Sequence, residues 1–106
     1  MQSITATLKW RPQALNDLEA IEAYYEEIAP EYASHLIQEI LEQAGQLEAF
    51  PRMGRIVPEV GDDAIRELIY RDYRSIYVVD ADDTEVDVLT VVHSSQHLGS
   101  LNSDGS

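Results

Sequence analysis

Between Arg66 and His93 the apolar positions fall into three short runs, Arg66–Tyr70, Tyr73–Asp80 and Glu85–His93. They are rich in Ile, Val, Leu and Tyr, side chains that fit a pleated, half-buried surface. Only Arg71-Asp72 separates the first two runs, and only Ala81-Asp82-Asp83-Thr84 the last two. Connections that short force neighbouring strands to be antiparallel, because a parallel return needs a crossover of a dozen or more residues. Upstream, Ile4, Ala6, Leu8 and Trp10 alternate with polar residues, the period of a strand with one buried face. Ala14, Leu18, Ile21, Tyr25 and Ile28 then recur at steps of four and three, opposite Asp17, Glu19, Glu22, Glu26 and Glu27. This predicts an amphipathic helix that opens at Pro12 and stops at Ala29, where the following Pro30 disfavours helical geometry. A second stripe, Ala33, Leu36, Ile37, Ile40, Leu41, Ala44 and Leu47, starts almost at once, so the two helices form an antiparallel hairpin.

Phe50-Pro51 closes the second helix, and PRMGRIVPEVGDD follows with no clear period; a segment of this kind is either functional or a plain connector. The expected fold is α+β in the order β-α-α-β-β-β, the hairpin covering one face of the sheet. Residues 1–98 form one domain, and the small, polar residues 99–106 are expected to be disordered.

Composition narrows the function. A chain of 106 residues is one domain, and its 44% apolar content suits a globular core. There is no apolar run of the ~18 residues that a membrane span needs, and the N-terminus lacks the apolar core of a signal peptide, so a cytoplasmic protein is expected. The absence of Cys removes disulfides and thiolate metal sites, and His35, His93 and His97 share no metal-like spacing. No metal or cofactor is expected. Twenty acids against seven bases give a net charge of −13. Such a chain repels nucleic acid, whose affinity comes mainly from Lys and Arg on phosphates, so no direct nucleic-acid binding is expected.

Several motifs resemble those of the RelE/ParE superfamily of type II toxins, in particular the ParE (plasmid-stabilisation) branch. They are Trp10, Asp17-Leu18, Ile21 with Tyr24-Tyr25, and Phe50-Pro51-Arg52-Met53-Gly54-Arg55, which resembles the branch's "P-x-x-G-R". Arg66-Glu67-Leu68, Tyr73-Arg74-Ser75-Ile76-Tyr77 and Val88–His93 resemble its "R-E-L", "Y-R-x-x-Y" and "I-L-x-V-x-H" strands. Each is weak alone; their order over roughly residues 4–98 is what makes the resemblance specific. It implies a four-stranded antiparallel sheet under the helical hairpin. It also implies a growth-inhibiting toxin neutralised by a cognate antitoxin, ParD-like for this branch. RelE-like members cleave messenger RNA on the ribosome, whereas ParE-like members inhibit DNA gyrase and need no catalytic site.

Cleaving RNA without a metal requires groups that move protons and offset phosphate charge. Ile65 and Glu67 stand where RelE-like toxins place Lys, and Ser94-Ser95-Gln96 replaces the basic residues expected after the last strand. Gln96 also departs from the ParE pattern, which has Arg there. No catalytic residues are therefore expected, the alternative being an interferase that uses Arg74 and His93. A further alternative is an inactive, antitoxin-binding relic. Arg52, Arg55 and Arg66 are candidate target contacts, or else partners of nearby acids. The resemblance requires an apolar groove for an antitoxin, and Tyr24, Tyr25, Tyr32 and Leu36 are the candidates, Tyr being enriched in interface cores. An acidic toxin gains little from charge attraction to an equally acidic partner, so that binding is expected to be insensitive to salt or strengthened by it.

The acidity itself is testable. If the surface suits a salt-rich cytoplasm, ions relieve its self-repulsion, and the melting temperature should rise between low salt and molar KCl. A midpoint that stays level or falls would count against this.

Overall fold

In the computed structural model, which describes residues 5–96, Pro12 opens α1 (Pro12–Ile28) one residue after the strand β1 (Thr7–Trp10). Ala29 leaves helical geometry at φ −157°, and Pro30 starts α2 (Pro30–Gly45). This is the antiparallel hairpin the two apolar stripes predict. A single 3₁₀ turn, Gln46–Glu48, extends it, and the Glu48 carbonyl accepts the Ala6 amide at 2.8 Å. The meander follows as β3 (Ile65–Tyr70), β4 (Tyr73–Val79) and β5 (Glu85–His93), antiparallel throughout.

The sheet departs from expectation in two ways. It has five strands in the order β1-β5-β4-β3-β2 rather than four, and it is mixed rather than antiparallel. The added strand, β2 (Arg55–Ile56), lies within the segment without period and pairs antiparallel with β3, Arg55 opposite Glu67 and Ile56 opposite Arg66. A strand of two residues is too short to show alternation. At the other edge, β1 runs parallel to β5, from Thr7 opposite Glu85 to Trp10 opposite Val88. The short-loop rule fixes polarity only for strands adjacent in sequence. Here the helices and three other strands intervene, so the polarity of β1 is set by which edge it reaches. Ile4, His97 and residues 99–106, named above as strand start, imidazole and disordered tail, lie outside the described residues.

The helices cover one face. Leu18, Leu36 and Ile40 pack on Tyr73 and Val91, while Ala14 and Leu47 pack with Tyr77, Val79, Val86 and Val88. Full burial of side chains such as Leu36 and Ile40 stabilises by about 1.5–3 kcal/mol each. Successive strand residues point to opposite faces, so Arg74 and Ile76 lie on the far face. There Val57, from the segment after β2, buries Ile76 with help from Val60, Ile65, Leu89 and Val92. The connection is thus a strap over the second face.

A bulge in β5 ties α1 to the sheet. Ile76 pairs with Thr90 and Tyr77 with Val88, leaving Leu89 as an extra residue. The Val91 amide donates to Asp17 Oδ2 at 2.9 Å, and the Thr90 hydroxyl donates to the same oxygen. Asp17 therefore satisfies an amide that sits in a disrupted stretch of ladder. Asp17→Ala should cost about 1–3 kcal/mol, the range for stranding a partly buried donor. Asp17→Asn, which keeps an acceptor oxygen, should lose less. Urea denaturation would check the ranking, and equal losses for both variants would refute this role.

Candidate functional site

Two regions gather the residues singled out by sequence. On the far face, Arg55, Glu67 and Arg74 come from the paired strands β2, β3 and β4, and Glu59 comes from the strap. The Glu67 side chain is 0% exposed and accepts from Arg55 Nε on one oxygen and from Arg74 Nε, at 2.5 Å, on the other. The other edge of the Arg74 guanidinium is held by Glu59 in a two-point grip, Nη1–Oε2 2.9 Å and Nη2–Oε1 2.8 Å. Hydrogen bonds to Glu59 and then to Glu67 raise the Arg74 pKa above its ordinary value. A guanidinium held on both edges presents no free fork to a phosphate.

His93 is elsewhere. Its ring meets Tyr73 edge-on with centroids 5.5 Å apart, and Tyr73, adjacent to Arg74 in β4, points to the opposite face. Its Nδ1 accepts the Ser95 amide at 3.1 Å, and its own amide donates to Gln96 Oε1 at 3.0 Å. The two residues of the alternative catalytic reading are therefore separated by the sheet.

The remaining candidate cations are also engaged. Arg52 pairs with Asp83 at 2.8 Å and Asp63 at 2.6 Å, and the Asp83 hydrogen bond raises its pKa. Arg66 pairs with Asp63 at 2.8 Å and donates to the carbonyls of Arg52, at 3.2 Å, and Gly54, at 2.9 Å. Arg55, its side chain 61% exposed, is the accessible member of the three. Among the described residues no three His, Asp or Glu side chains are placed to hold a metal ion.

The second region is the end of the molecule where α1 meets α2. Tyr25 packs edge-on against Tyr24 and Tyr32, with centroids 4.9 and 5.0 Å away, and Tyr73 Oη donates to Tyr25 Oη at 3.4 Å. Burial, then the Tyr25 hydroxyl, raises the Tyr73 pKa. Tyr24 and Ile28 are each 64% exposed, although both stripe analysis and helical spacing place Ile28 on the inner face. An open depression of about 360 Å³ lies beside them, lined by Ala29, Pro30, Glu31 and Tyr32. Leu36 is different from its companions: at 0% exposure it is core under the hairpin and supports the surface without being part of it.

The model of the ParE toxin of the type II toxin–antitoxin system parDE matches residues 8–98. The chain belongs to the ParE toxin family. A solved structure of the chromosomal ParDE system from P. aeruginosa superposes with a TM-score of 0.69 at 26% identity, covering 86% of this chain and 98% of that one. The fold is shared more widely within the RelE/ParE superfamily. The RelBE2 toxin–antitoxin complex of Mycobacterium tuberculosis gives 0.60 at 20% identity, over 90% of this chain and 98% of that one. A mutant E. coli RelE in the free state gives 0.62 at 16% identity, over 86% and 85%. No curated protein sequence matches significantly. Among the described residues no helix is long and apolar enough to cross a membrane.

Much of this chain's ParE-like motif set is structural. The Gly54 amide donates to Tyr77 Oη at 2.9 Å, and a Cβ at this position would run into the Glu67 carbonyl and the Tyr77 hydroxyl. Gly54 therefore lets the loop touch the sheet, so that Arg55 can reach Glu67. The Tyr77 pKa is raised by its burial. Sequence reasoning gave no site role to Glu59, whose only signal is an acid within a Pro- and Gly-flanked segment, or to Arg71 in the β3–β4 turn. The network predicts a hierarchy of losses. Glu67→Ala leaves Arg74 buried without its inner partner and should cost about 3–5 kcal/mol, whereas Arg55→Ala, which removes an exposed guanidinium but leaves one oxygen of the buried Glu67 unbonded, should cost about 1–3 kcal/mol. Chemical denaturation of both variants measures this, and comparable losses would contradict it.

Proposed function

We propose that this ParE-family toxin arrests growth by gripping another protein, DNA gyrase, and not by cutting RNA. The observation that carries this reading is the state of Arg74: both edges of its guanidinium are occupied by Glu67 and Glu59, and His93 lies across the sheet. A carboxylate pair at that position opposes phosphate binding. The target contacts fall on the segment from Phe50 to Ile56, where Phe50, Met53 and Ile56 are exposed beside Arg55. Arg52 and Arg66 contribute by fixing that segment. The P. aeruginosa relative is part of a ParDE system, which favours a ParD-like antitoxin as the neutralising partner. The aromatic end, with Tyr24, Tyr25 and Tyr32 over the buried Leu36, is where that antitoxin docks.

Purified chain should inhibit supercoiling by purified gyrase in a dose-dependent manner and leave ribosome-bound messenger RNA intact. Cleavage of the ribosome-bound transcript, abolished by Arg74→Ala, would overturn the proposal and establish the interferase reading.

A further inference from the structure

Six of the seven basic side chains, Lys9, Arg11, Arg52, Arg55, Arg66 and Arg74, have a carboxylate within ion-pair distance. Arg71 is the exception among the described residues. It sits in the β3–β4 turn at φ +52°, exposed, with its guanidinium carbon 5.5 Å from the Tyr70 ring centroid and 5.9 Å from that of Tyr32. Its Nε donates to Tyr70 Oη at 3.3 Å. That bond, followed by the charge of Tyr70 and, more weakly, of Glu39, raises its pKa. No hydrogen bond from Nη1 or Nη2 is made within the described residues, so the outer edge of the fork is open while two aromatic rings hold its position.

We propose that Arg71 recognises a side-chain carboxylate on a polypeptide partner whose apolar residues rest on Tyr24, Ile28 and Tyr32. Three features point to a polypeptide. The outer edge of the guanidinium fits a carboxylate with two parallel N–H···O bonds. The surface beside it is aromatic and apolar and contains the depression at Ala29–Tyr32, so side chains can anchor there. Glu31 lines that depression, Glu39 acts weakly on the Arg71 charge, and the chain carries −13 overall, a field that opposes a polyanion far more strongly than a single carboxylate. The inference deepens the reading of this end as the antitoxin surface and rests on it for the partner's identity, though the chemistry of Arg71 is testable without the antitoxin.

The full chain, ¹⁵N-labelled, is titrated with acetyl-Trp-Glu-amide, acetyl-Trp-Gln-amide, acetyl-Trp-Lys-amide and a uridine trinucleotide, following the Arg71 Nε–H resonance. The glutamate peptide should bind about three- to five-fold tighter than the glutamine peptide, the range of an exposed ion pair. Arg71→Gln should abolish the difference and Arg71→Lys should keep part of it, with the melting temperature unchanged in both. Equal binding of the peptides, no binding of any, or preference for the lysine peptide overturns the inference; tighter binding of the trinucleotide overturns it in favour of nucleic acid. In a second arm the chain is titrated with its cognate antitoxin. There Arg71→Gln should weaken binding about five-fold, matched by and not additive with neutralisation of one partner acid. Weakening by Tyr24→Ala but not by Arg71→Gln refutes the role of Arg71 and leaves the aromatic surface standing. Failure of both substitutions to weaken a complex that forms refutes the surface reading as well.

Discussion

Glu67 is the interaction on which the far face depends. A carboxylate with no exposed side-chain surface persists only if its oxygens are bonded and its charge opposed, and here Arg55 and Arg74 do both. Because the three residues sit on three adjacent strands, the same bonds that neutralise the charge set the registry of β2, β3 and β4. Glu59 closes the outer side of Arg74 and brings the strap with it, and that strap buries Val57 on Ile76. Remove the carboxylate at the centre and a buried guanidinium, a two-residue strand and an apolar strap all lose their anchor together.

The opposite face is held by different means. There the helices bury aliphatic side chains, and one polar clamp, Asp17 on Thr90 and Val91, fixes α1 where the bulge breaks the ladder. The division has a functional consequence. In this chain Arg74, on the sheet face away from the helices, is bonded on both edges and serves as a structural cation. What the surface offers instead is the aromatic end between α1, α2 and the β3–β4 turn, and the exposed apolar segment around Phe50.

The elements with their own periodicity were legible in the sequence. Both helices end where Pro30 and the loss of the apolar stripe require, and the meander follows from its two short turns. The pairing of β1 with β5 was not legible, because polarity between distant strands is a property of the assembled sheet. Nor was β2, whose two residues become a strand only because Gly54 lets the backbone approach Glu67. For the site residues the limit is similar. Composition marks Arg52, Arg55, Arg66 and Arg74 as scarce cations in an acidic chain, yet only the fold shows which carboxylate each one meets. Leu36 illustrates the converse: helical spacing places it near Tyr32, and burial removes it from the surface.

Charge accounts for why Arg71 stands apart. In a chain with twenty acids, an exposed guanidinium normally finds a carboxylate, and six of the seven cations do. The β3–β4 turn aims Arg71 between two phenol rings, which hold the cation through their negative faces without neutralising it. A partner approaching this end gains most of its affinity from apolar area, since the net charge opposes any acidic polypeptide and salt weakens that opposition. A single carboxylate placed on Arg71 then supplies orientation at little electrostatic cost, because among the described residues it meets the one cation that has no carboxylate within ion-pair distance. Orientation matters on such a surface, since tyrosines accept apolar side chains in many poses and would otherwise leave the register of a bound segment undefined.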